Sequence, residues 1–218
     1  MGKELRALRL LSLLAIAVGM LAAPTGASAQ PARRLDVSQP LTYFIAEGPA
    51  RSGMEAADRT LARWALEAWA RLVDPPLRLV PGPEATAAIR VYWVGAAGGL
   101  YGEMRGRIVG GRLAADVFVH PDTESLGADI AVVARRDALF RDAIVYLTCV
   151  HELGHAFGLG HTRAFADIMY SFQYGGDFVA YFKRFRDKLE RREDIREASP
   201  FSYGDTAAFR ALYGGSGG

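Results

Sequence analysis

The sequence predicts an α+β fold in one domain, on three observations. A β-type run leads into a strongly amphipathic helix. Short β-rich runs separated by Pro and Gly come next. A second long helix, apolar nearly all round, then follows the strands. A helix of that last kind belongs in the interior of a domain, because it has no face to give to water. The chain has 218 residues, 50% of them hydrophobic, which is ample for one core. Its formal net charge is +2 and its arginines are scattered, so a nucleic-acid-binding surface is not expected.

Taken in order, residues 1–29 read as a cleavable signal peptide. Lys3, Arg6 and Arg9 supply the positive region, Leu10 to Ala23 the apolar region, and Ala27-Ser28-Ala29 a small-residue cleavage site. Pro24, Thr25, Gly26 and Ser28 interrupt the apolar run before it reaches the roughly 20 residues a membrane span needs. The expected mature chain starts at Gln30 and is secreted or periplasmic, with no stable membrane association after cleavage. Its main domain is expected over 30–214, as a monomer, with a flexible Gly/Ser tail at 215–218.

Leu41–Ile45 is the first β-type run. Ser52 and Glu55 form a capping-box pattern, which predicts a helix from Met54 to Val73. Ala57, Leu61, Trp64, Ala65, Ala68, Trp69 and Leu72 repeat there at threes and fours, so both tryptophans read as core anchors. Asp74-Pro75-Pro76 stops the helix. Leu77–Val80, Ile89–Val94, Ile108–Val109 and Ala115–Val119 are the predicted strands, with turns at Gly95–Gly99 and Gly110–Gly111. Neither glycine cluster precedes Lys-Ser or Lys-Thr, which excludes a phosphate loop. His120, before Pro121, reads as a surface histidine, with a structural-metal ligand as the alternative. The second long helix is expected to begin near Asp137–Asp142 and to end at Phe157, with Cys149, the only cysteine, as a buried thiol facing away from the histidines.

That helix ends in His151-Glu152-Leu153-Gly154-His155-Ala156-Phe157-Gly158-Leu159-Gly160-His161. His151 and His155 are four apart and share a helix face, so both can reach one ion. Gly158 accepts a left-handed backbone cheaply and can turn the chain back to bring His161 round as a third ligand. Three ligands leave one zinc position open for water, the mark of a catalytic rather than a structural site. Glu152 stands beside the first ligand, where it can act as general base without ligating the ion. Three of the four histidines fall within eleven residues, a density that ordinary core packing does not produce.

The pattern HExxHxxGxxH followed by a methionine turn resembles the metzincin zinc endopeptidases. The methionine is Met169, in Asp167-Ile168-Met169-Tyr170, and the resemblance makes it an apolar floor beneath the ligands. Tyr170 directly after Met169 is similar to the matrixins in particular. Ser171 stands where astacins and serralysins place a tyrosine ligand, so no fourth protein ligand is implied. Ser202-Tyr203-Gly204-Asp205, ending in Ala211-Leu212-Tyr213-Gly214, resembles the last helix of matrixin catalytic domains.

The resemblance implies a twisted, mostly parallel sheet with an antiparallel edge strand, packed on two long helices, plus a small C-terminal subdomain. It implies that an edge strand pairs with a peptide substrate, and Arg112–Val119 is the candidate. One catalytic Zn²⁺ is the implied cofactor, with no other cofactor and no nucleic-acid partner. Calcium is left open and unsupported, since no loop of alternating Asp and Gly is present. With no cysteine ahead of the first strand, the cysteine-based latency of animal matrixins is not expected. Asp177–Glu197 departs from the family as an inserted amphipathic helix, either walling the pocket beyond the cut bond or lying solvated on the surface. The implied activity is metal-assisted hydrolysis of peptide bonds. A processing protease for one partner and a catalytically silent zinc-binding module are the alternatives.

Overall fold

The computed structural model describes residues 34–95 and 101–215. The expected signal peptide, residues 96–99 of the first glycine turn and the end of the tail lie outside the described residues. Among the described residues there are five strands: β1 (Leu41–Ile45), β2 (Leu79–Pro81), β3 (Ile89–Trp93), β4 (Gly102–Val109) and β5 (Arg112–Val119). They form one sheet in the order β2-β1-β3-β5-β4, parallel except for the antiparallel pair β4–β5. The helices are α1 (Asp58–Ala70), α2 (Ala128–Arg136), α3 (Ala138–Ala156), α4 (Phe178–Arg186), α5 (Asp194–Glu197) and α6 (Tyr203–Tyr213). Among the described residues, no helix is long and apolar enough to cross a membrane.

The core lies between the sheet and the pair α1 and α3, which pack on each other. Ile89, Val91, Val117 and Val119 enter it from the strands, Leu61, Leu66 and Trp69 from α1, and Ile144, Leu147 and Val150 from α3. Each aliphatic side chain so buried contributes about 1.5–3 kcal/mol. Cys149 is fully buried there, and burial pushes its thiol well above its ordinary value, so it is inert. The two-residue turn Gly110–Gly111, with φ of 55° and 77°, folds β4 back along β5, a conformation that glycine adopts without strain.

The edge strand next to β5 is β4, so Arg112–Val119 is no edge but lies interior between β3 and β4. Only Ile108–Val109 of β4 was predicted. The rest reads Gly-Glu-Met-Arg-Gly-Arg, without apolar alternation, because an edge strand half in water needs none.

Helix α1 starts at Asp58 rather than Met54, and the Ser52–Glu55 capping box does not form. Ser52 closes a 3-10 turn instead, its hydroxyl donating to Pro49 O. The Asp58 carboxylate accepts from Glu55 N and pairs with Arg141 of α3, and this tertiary partner sets the helix start. Helix α2, with Ile130, Ala131 and Ala134 buried, was not anticipated. His120 is buried rather than at the surface: its backbone N–H bonds to Tyr101 O, which keeps it against the start of β4. The amphipathic stretch 177–197 is two helices, because Asp194 accepts from the N–H groups of Glu190 and Arg191 and forms a turn between them.

Candidate metal centre

Helix α3 is capped at its start by Asp137, whose side chain accepts from Phe140 N. It carries His151, Glu152 and His155 near its other end. Gly158 then adopts φ 97°, while Gly158 N bonds to His155 O and Leu159 N to Gly154 O, both at 2.9 Å. This reversal returns His161 to the face of the first two histidines.

The three rings converge on one point. The Nε2 atom of His161 lies 3.3 Å from that of His151 and 3.1 Å from that of His155. One ligand atom from each residue lies within 4.8 Å of the others. A tetrahedral zinc with bonds of about 2.0–2.1 Å sets its nitrogens about 3.3 Å apart, so the donor set fits that ion. His151 Nδ1–H donates to Ile168 O at 2.7 Å, and His155 Nδ1–H donates to Leu159 O at 2.9 Å. These bonds place the proton on Nδ1 and leave the Nε2 lone pair for a metal. Burial, more than the neighbouring histidines, pushes His151 down to about 4 and also lowers His155, which favours the neutral imidazoles that ligation requires.

Glu152 is 6% exposed. Burial first, and the charge of Glu103 second, push its carboxyl up to about 8, a value suited to proton exchange near neutrality. A nearby divalent cation acts in the opposite direction. Gly102, at the start of β4, makes room for this side chain: a Cβ there would lie 2.6 Å from Glu152 Cγ. Sequence reasoning gave Gly102 no role.

Met169 is buried and packs directly on α3 between the two helical histidines. A Cβ on Gly154 would overlap Met169 Sδ and lie 3.0 Å from the Trp69 ring. The glycine within the HExxH motif is thus what lets the methionine floor and Trp69 close on the helix. The methionine loop is tied to the third histidine by Thr162 N to Met169 O at 2.8 Å and Ser171 N to Thr162 O at 3.2 Å. Tyr170 donates to Gly175 O, and among the described residues the metal-competent group is His151, His155 and His161 alone.

Asp205 of α6 was quoted only as part of a helix-like motif, yet it anchors this loop. It accepts from Ile168 N at 2.8 Å, Met169 N at 3.3 Å and Ser202 N at 2.9 Å. The signal was available: Ser202 followed three residues later by an acid is a capping-box pattern, and that box forms.

A cleft of about 540 Å³ opens over the histidines and Glu152. Its far side is aromatic: Tyr101, Phe172, Phe178, Tyr181 and Phe182, with Phe172 and Phe178 stacked at 4.0 Å. Helix α4 packs against α3 and buries Tyr181, Phe182 and Phe185. It is therefore a wall of the cleft and not a detached surface helix.

The family model described as Matrixin matches residues 36–179. That span holds the whole sheet, α1 to α3, the three histidines and Met169, whereas most of α4 and all of α5 and α6 lie beyond it. No curated protein matches the chain.

Proposed function

The chain belongs to the matrixin family, and on that premise we propose that it is a secreted zinc metalloendopeptidase, with His151, His155 and His161 holding one zinc and Glu152 as general base. The family is one of zinc metalloproteases, so peptides or proteins are its class of substrate. The observation that carries the reading is the convergence of three histidine ligand atoms within 4.8 Å, with His161 Nε2 at 3.1 and 3.3 Å from the other two and a buried carboxyl beside them. Bound zinc supplies Lewis acidity, polarising a carbonyl and lowering the pKa of a coordinated water towards neutrality.

The chain's own groups do the rest. Glu152 accepts the proton of the attacking water and delivers it to the leaving amine. The outer edge of β4, which pairs with no strand among the described residues, offers backbone N–H and C=O groups to an extended peptide, and the aromatic side of the cleft takes one of its side chains. Residues 1–29 support export, and the exported protein is expected to begin at Gln30, which N-terminal sequencing checks.

The test is zinc content together with cleavage of a mixed quenched-peptide library. Glu152→Ala is expected to retain one zinc and to lose turnover by about 10²–10⁴-fold. His155→Ala is expected to lose both. Undiminished turnover in purified Glu152→Ala would rule the mechanism out. A narrower reading, a processing enzyme for one partner, is favoured by the α4 wall. Broad cleavage of casein would exclude it.

A further inference from the structure

We propose that Tyr181 of α4 is a positioning residue for the metal centre: its hydroxyl holds the Ile168 carbonyl that in turn orients the imidazole of His151. The inference rests on the reading of His151 as a ligand.

Ile168 O accepts from His151 Nδ1 at 2.7 Å and from the Tyr181 hydroxyl at 3.1 Å. A carbonyl oxygen has two lone pairs and can satisfy both donors. The same hydroxyl lies 3.1 Å from Asp167 O, so its proton is shared between two adjacent carbonyls. Tyr181 is 3% exposed and Ile168 fully buried, so water does not compete for these bonds. Burial pushes the Tyr181 phenol up, which keeps it a donor at every working pH.

Arg184, one turn on, extends the grip. Its guanidinium lies 4.0 Å from the centre of the Tyr181 ring and donates to Phe165 O and Asp167 O. The carbonyls of the loop are thus held by α4, while its N–H groups at 168 and 169 are held by Asp205 of α6. His151 takes its ring orientation from a segment fastened on both sides. His155 has no such dependence, since its partner Leu159 O is four residues away in the same turn.

The size of the effect separates positioning from packing. One neutral buried hydrogen bond contributes only modestly to stability. Loss of a group that directly orients a metal ligand costs about 10–100-fold in metal affinity. Tyr181 acts one bond further out, so Tyr181→Phe is expected to weaken zinc binding by about three- to tenfold. The substitution keeps the ring and its packing on Phe172, Phe165 and Arg184.

The experiment compares wild type, Tyr181→Phe and Phe185→Leu. Zinc dissociation constants come from competition with a chromophoric chelator, ligand geometry from the visible spectrum of the cobalt(II)-substituted proteins, and stability from urea midpoints of the metal-free proteins. Phe185 stacks on Tyr146 at 5.3 Å and bonds to nothing in the loop. Its replacement should lower the urea midpoint and leave zinc affinity and the cobalt spectrum alone. Tyr181→Phe should weaken zinc binding and change the cobalt spectrum, with only the small fall in urea midpoint that loss of one hydrogen-bonding hydroxyl brings.

Equal zinc affinity in Tyr181→Phe and wild type would overturn the proposal, as would equal weakening in both variants, which would mark general loosening of α4. A raised KM with unchanged zinc affinity would make Tyr181 only a wall of the cleft. Failure of the wild-type protein to take up zinc would instead remove the metal-centre reading itself, and the proposal with it.

Discussion

The turn Phe157–His161 and the loop Thr162–Ser171 serve the same histidine cluster by unlike means. In the turn, the bonds that set its path are local, Gly158 N to His155 O, Leu159 N to Gly154 O and His155 Nδ1 to Leu159 O, with one remote tie, Tyr213 of α6 donating to Phe157 O at 2.8 Å. The loop is held from afar, its carbonyls by Tyr181 and Arg184 of α4 and its N–H groups by Asp205 of α6. The path of the turn is therefore set mostly by the end of α3, whereas the loop takes its place only when the C-terminal segment docks. Metal affinity and docking of that segment are coupled through one loop.

The largest blow to the remote half is Asp205→Ala. It strands the N–H groups of Ile168, Met169 and Ser202, and a buried unpaired donor costs about 1–3 kcal/mol, so destabilisation on the order of 3 kcal/mol is expected from urea unfolding of the metal-free protein. Zinc affinity should fall with it. On the local side, Gly158→Ala forces a side chain into φ 97°, at a cost of about 1–3 kcal/mol. Because the bonds at Gly158 are local, zinc release should accelerate while α4, which makes none of them, keeps its protection in hydrogen exchange.

Gly154→Ala probes the contact between the halves, where a Cβ meets Met169 Sδ and Trp69. Overpacking of this kind costs about 1–3 kcal/mol, and the flexible methionine should hold it near the lower end in a thermal melt. The smallest effect concerns the docking of α4 on α3. Burial alone would raise the Asp137 carboxyl, but Arg186 and the N–H of Phe140 outweigh it and hold the group below 3.8. A depressed carboxylate stabilises the fold above its unfolded value and loses that contribution as pH falls through its folded one. Asp137→Asn should therefore be less stable than wild type at pH 6 by well under about 1 kcal/mol, the pair being partly exposed, and the gap should close below pH 3.8.

These two halves also mark how far the sequence could be read. The spacing of His151, His155, Gly158 and His161 is a local code, and helix periodicity and glycine's freedom decode it. Strands β1 and β3 were legible because Leu41–Ile45 and Ile89–Trp93 are β-rich, and β3 buries alternate residues. Strand β4 was not, because its partner lies on one side only and Glu103, Arg105 and Arg107 face water or reach across to Asp116 and Ala87. The start of α1 was misplaced because Asp58 serves Arg141, a residue 83 positions away. The cap at Asp205 is readable from Ser202, but the loop it anchors is not, and Tyr181 acquires its role only from folding, since nothing local distinguishes a tyrosine that grips a carbonyl from one that fills a core.

Trp69 gives the centre a built-in optical reporter. Its indole N–H bonds to Val150 O at 2.8 Å, one residue before His151. Its ring packs within 4.5 Å of Phe201 and 4.9 Å of Phe209, centre to centre. Of the other two tryptophans, Trp93 bonds to Ala46 O and Trp64 lies beneath Arg192. Light emitted by Trp69 senses the back of α3 and the seating of α6 in a single signal. Assembly of the site can therefore be timed in the unlabelled protein, before any substrate is known.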